Sequence, residues 1–161
     1  MRIWIVLMAG LLALLTAVAG EAATASAQLN VTVRVVPNCR IAVTDLAFGA
    51  YDPLVQHSTQ NLDGTALVRV VCTKNERATI LMEDEHGSNA RALSFAGNAL
   101  TYGIFSDSAR TSVWGGRGNG VQVTFDGGSS PQELTVYGRI PAGQVVPAGP
   151  YSDAVTATVD F

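Results

Sequence analysis

The stretch YSDAVTATVDF, Tyr151 to Phe161, alternates. Tyr151, Val155, Ala157, Val159 and Phe161 fall on one face at period two, with Ser152, Thr156, Thr158 and Asp160 on the other. This is the pattern of a half-buried strand, because successive side chains of a β-strand point to opposite faces. A second such run lies near the start. In QLNVTVRVV (Gln28 to Val36), Leu29, Val31, Val33 and Val35 share an apolar face, while Asn30, Thr32 and Arg34 share a polar one, and Pro37 ends the run. Neither stretch carries a Lys or an internal Pro, the usual protection of a strand left at a sheet edge. The N-terminal run therefore reads as a strand meant to pair, in its own domain or in a neighbour's.

Between these runs the same texture recurs. RIAVTDLAF, TALVRVVC, RATILME, ALTYGIF, GVQVTF and ELTVYGRI are short and rich in β-branched residues. EDEHGSN, GGRGNG, DGGSSP and PAGQVVPAGP separate several of them, with the Gly, Pro, Asn and Asp that turns require. No stretch beyond the N-terminal leader carries a helical apolar period. Seven or eight short strands with regular turns predict an all-β sandwich.

The leader MRIWIVLMAGLLALLTAVAGEAATASA has one basic residue, Arg2, and an apolar run from Ile3 to about Val18. Ala25-Ser26-Ala27 fits an A-x-A cleavage site. It reads as a secretory signal peptide, residues 1–27. A retained membrane anchor fits less well, because the run is near the lower length limit for a span and is followed by a cleavage pattern. Removal would leave 9 of the 10 basic and 12 of the 13 acidic side chains, and the net charge would stay at −3. With Lys74 as the only lysine, that balance excludes the clustered basic surface of a nucleic-acid binder. The remaining ~134 residues are enough for one domain with a proper core.

Cys39 and Cys72 are an even pair in a chain read as exported, which predicts a disulfide. Two cysteines alone do not make a standard structural zinc site, and His57 and His86 lie in separate polar contexts. EDEHG (Glu83 to Gly87) offers carboxylate and imidazole groups but reads better as a solvated hairpin tip. WGGRGNG (Trp114 to Gly120) lacks the Lys-Ser or Lys-Thr and the following helix of a phosphate loop, so it reads as a loop with Trp114 packed at its base. No G-x-S-x-G elbow is present. Asp153, in phase with the apolar face of the last run, reads as a residue at the sandwich rim, and Asp52-Pro53 as a turn. No catalytic residue, cofactor or metal is expected, and an enzyme is not the reading.

LAFGAYDP (Leu46 to Pro53), LTYGIFSDSARTSVWGGRGNG (Leu100 to Gly120) and VYGRIPAGQVVPAGPYSDAVTATVDF (Val136 to Phe161) resemble the spore coat protein U domain family, which includes subunits of archaic chaperone–usher pili. The resemblance implies an incomplete immunoglobulin-like β-sandwich completed by a donated strand. Residues 28–37 would be the donor strand and residues 38–161 the sandwich. Leu29, Val31, Val33 and Val35 would be the donor face. Tyr151, Val155, Ala157, Val159 and Phe161 would line the acceptor groove and the chaperone-binding strand, with the Phe161 carboxylate meeting a basic site on the chaperone. The implied partners are a periplasmic chaperone, an outer-membrane usher and other copies of the chain head to tail. The implied location is a surface pilus reached through the periplasm. The alternative is a non-polymerising coat or matrix protein whose arm folds into its own groove.

Overall fold

The alternating runs pair as antiparallel ladders in a computed structural model, which describes residues 23–83, 91–127 and 130–161. Among these residues are eight strands: β1 Cys39–Val43, β2 Leu62–Cys72, β3 Arg77–Glu83, β4 Arg91–Phe95, β5 Asn98–Phe105, β6 Val121–Thr124, β7 Gln132–Ile140 and β8 Thr156–Asp160. They form a five-stranded sheet in the order β1-β2-β7-β5-β4 and a three-stranded sheet in the order β6-β3-β8. Two short 3₁₀ turns, Gln56–Ser58 and Arg117–Asn119, complete the regular structure. No helix among the described residues is long and apolar enough to cross a membrane.

The period of two becomes a core because one face of each sheet is buried against the other. Ala66, Val68, Val70 and Cys72 of β2 are buried at alternate positions, as are Ala78, Ile80 and Met82 of β3 and Leu100, Tyr102 and Ile104 of β5. Trp114 closes the core, with its indole N–H donating to the Ile80 carbonyl at 2.8 Å. Arg91 is 2% exposed and donates through Nη2 to the carbonyls of Met82 and Trp114, which ties β4 to β3. The disulfide joins Cys39 and Cys72, which face each other in the β1–β2 ladder. Asp52 closes its turn as expected, its Oδ1 accepting from the Leu54 and Val55 N–H groups.

Two features differ from the sequence reading. RALSF forms β4, a strand that its Arg and Ser had concealed. Residues 23–38 carry no strand, because a strand is defined by its ladder and alternation alone supplies no partner. The chain divides into two units, Met1–Arg34 and Val35–Phe161. The leader to residue 22, most of EDEHGSN with His86, and Gly128–Ser129 lie outside the described residues.

Candidate functional site

β1 ends the five-stranded sheet and β8 ends the three-stranded one. β1 pairs only with β2, and β8 only with β3, among the described residues. The two strands approach each other without a ladder between them, so each turns a row of backbone N–H and C=O groups into the seam. A cleft of about 380 Å³ opens there and reaches the core. Val43, Leu46 and Phe48 wall one side, and Val155 and Ala157 the other. Its floor is the buried Val68, Ile104 and Val136.

Glycines shape the first wall. Gly64 and Gly138 face each other across β2 and β7. A Cβ on Gly138 would lie 2.7 Å from the Phe48 ring and 2.8 Å from the Leu46 methyl, and one on Gly64 would be nearly as close. With neither Cβ present, the segment after β1 settles Leu46 and Phe48 onto a bare patch of sheet.

The rim is acidic. Asp45 and Asp153 line the cleft, whose described lining residues include no Lys or Arg, although the buried Arg91 lies against Tyr102 behind it. Asp153 is exposed at the rim, where its Oδ2 accepts the Tyr102 hydroxyl at 2.7 Å and its Oδ1 the Ala154 N–H at 2.8 Å. Burial, reinforced by the Asp153 carboxylate, pushes the Tyr102 phenol well above its ordinary range. Tyr102 therefore stays a donor and holds Asp153 in place.

Val155 and Ala157 line this cleft; Val159 is half-buried against the core and faces Ile80 in the ladder. Tyr151 lines an adjoining cleft and packs edge-on against Phe95, while Phe161 is exposed. The four alternate arm residues are in water: Leu29 is 84% exposed, Val31 85%, Val33 90% and Val35 75%. Sequence reasoning missed the wall from Val43 to Phe48 and the Tyr102–Asp153 bond. Only the alternation of Leu46 and Phe48 in RIAVTDLAF hinted at the first.

Residues 25–158 match the Spore Coat Protein U domain family. Protein U of Myxococcus xanthus is 36% identical over 157 residues, covering 88% of this chain and 87% of that protein. The fold resembles a chain in the crystal structure of the CsuC–CsuE chaperone–tip adhesion subunit pre-assembly complex from archaic chaperone–usher Csu pili of Acinetobacter baumannii. The TM-score is 0.55 and the identity 23%, over 79% of this chain and 40% of the solved one. The all-β sandwich expected from the alternation, immunoglobulin-like as the family resemblance implied, is the fold found. With the match spanning nearly everything after the leader, the chain belongs to the Spore Coat Protein U domain family.

Proposed function

We propose that this protein is a structural subunit of a surface pilus, assembled by the chaperone–usher pathway through donor-strand exchange and supporting adhesion or biofilm formation. The observation that carries this reading is the open β1–β8 seam in a chain that also holds an exposed, alternating apolar arm. Leu29, Val31, Val33 and Val35 of one copy enter the cleft of the next, where Val155, Ala157 and Val159 receive them, with Tyr151 and Phe161 at the ends of the groove. Before assembly, a strand of the periplasmic chaperone occupies the same place; at the usher the arm replaces it. The contact is head to tail and does not close on itself, so repetition gives a fibre.

Strand addition supplies main-chain hydrogen bonds for affinity and side-chain pockets for specificity. Burying four aliphatic side chains is worth about 6–12 kcal/mol gross, at roughly 1.5–3 kcal/mol each. Ordering the arm costs roughly 1–2 kcal/mol of backbone entropy per residue, so arm burial alone does not win. The balance is tipped by the acceptor, whose core loses its contact with water when the seam fills.

The test is a gel of material sheared from the surface of the native cells, run without boiling, beside a strain whose copy lacks residues 28–36. A ladder with one-subunit steps, lost on heating and absent from the deletion, is the expected result. A single monomer band in the wild type overturns the reading. The spore coat description of the family favours a second possibility, a coat protein whose arm completes its own sandwich, and the monomer band would select it.

A further inference from the structure

On the pilus reading, on which this inference rests, the far end of the seam acquires a role. β1 and β8 flank the seam in opposite directions. β1 starts at Cys39, opposite Cys72, and β8 ends at Asp160, opposite Thr79 near the start of β3. Residues 73–76 join β2 to β3 at that same pole. At the opposite pole, where Ile140 faces Leu62, the seam runs into the adjoining cleft of about 730 Å³, with Leu46, Phe48 and Leu93 common to both. Leu54 and Val145 line that second cleft, and with Val55 they stand in water, 81%, 84% and 75% exposed. The loops that carry them are tied together. Tyr51 Oη donates to the Pro141 carbonyl and accepts the Gln144 N–H, each at 3.0 Å, and the Gly143 N–H donates to the His57 carbonyl at 2.8 Å. An apolar tip held in this way has met much of the ordering cost of a contact before the contact forms.

The root of the arm is also fixed, at the disulfide pole. The Asn38 N–H donates to Thr73 Oγ1 at 2.8 Å, the Asn38 carbonyl accepts the Thr73 N–H at 2.9 Å, and Cys39 is bonded to Cys72. Pro37, its φ locked by the ring, is then the one residue between the run ending at Val36 and the anchored body. Two residue steps span about 7 Å at most, too little to hold two bodies apart. The direction of the arm follows from head-to-tail growth. An arm parallel to β8 would emerge at the acceptor's disulfide pole, where the acceptor's own arm leaves, and one pole would carry both junctions. An arm antiparallel to β8 emerges at the pole of Leu54 and Val145. We infer that this apolar tip is a second contact between successive copies, seated against the disulfide pole of the copy whose arm fills the seam. The surface offered there is aliphatic too, since Val36 and Pro37 are exposed and the Lys74 stem lies over Gly127.

Cross-linking in the full chain reads the contact. Leu54→Cys and Val145→Cys, each combined with Lys74→Cys, place a thiol on an exposed side chain at either pole. Sheared fibres treated with a short bis-maleimide and then boiled should show covalent one-subunit steps with at least one pair and with none of the three single variants. Leu54→Ser with Val145→Ser should keep the ladder but speed its loss at a fixed, mild heat about tenfold, the scale of one buried aliphatic contact. A heat-labile ladder free of covalent steps with both pairs, or one lost at the wild-type rate in the serine variant, overturns the inference. If the serine variant instead loses binding of intact fibres to phosphatidylcholine vesicles while no pair cross-links, the tip belongs to a lipid surface and the inference also falls. A wild type with no heat-labile ladder overturns the pilus reading beneath it.

Discussion

Asp63 is a residue whose ionisation bears on stability. Two hydrogen bonds from Arg139, at 2.7 and 2.8 Å, hold its carboxyl below the usual range, and Arg110 at 3.3 Å adds to the effect. A depressed carboxyl contributes stability that is present above its unfolded value, near 4, and is lost as pH falls through the folded value. Melting temperatures taken from pH 7 to pH 2 should therefore fall on the acid side, and Asp63→Asn should flatten that limb below about pH 4. Because Asp63 is partly exposed, solvent screening keeps the change small. Nothing local in the sequence marks this pair, since Asp63 and Arg139 meet only through the β2–β7 register.

The segment after β1 is the element on which the cleft depends. Leu46 and Phe48 rest where Gly64 and Gly138 leave the sheet bare, so Gly138→Ala must displace a ring or a methyl. The expected cost is about 1–3 kcal/mol, the range for overpacking a filled site, read as a lower denaturant midpoint at unchanged slope. Gly138→Ala with Phe48→Leu should recover part of it. At the start of β1, which leads into this segment, the Cys39–Cys72 bond ties β1 to β2. Replacing both cysteines by serine should cost about 3–4 kcal/mol if chain entropy dominates, and chemical denaturation of the oxidised protein against the variant measures it. The cysteine pair was legible from composition and the export reading. The glycine floor was not, because Gly-rich composition reads as turns until β2 and β7 are seen side by side. β4 was hidden for a related reason: Arg91 occupies an inward position that a period-two reading reserves for apolar side chains.

For the molecule as a whole, an unfilled seam means a fold short of its full stability. A chain lacking residues 28–36 should gain several degrees in melting temperature when a synthetic peptide of residues 28–37 is added, because a ligand that binds only the folded state stabilises it by mass action. A peptide carrying Val31→Asp should give almost none of that gain, and the same substitution in the full chain should abolish the surface ladder. A calorimetric scan with each peptide checks the first expectation. Unchanged melting with the native peptide would count against the cleft as the arm's seat.

The amino-acid sequence by itself determined the all-β class, the turns, the cysteine pair and the two alternating runs near either end. Period two is carried by consecutive residues, so it is visible without knowing what lies opposite. Only the tertiary structure decided that β1 and β8 are left as facing edges, that Asp153 is held by Tyr102 fifty-one positions away, and that two glycines shape the cleft wall. Such features are products of ladder pairing between distant segments. A pattern of alternation states that a strand has a partner face, but the packing of the whole chain settles which edge remains open.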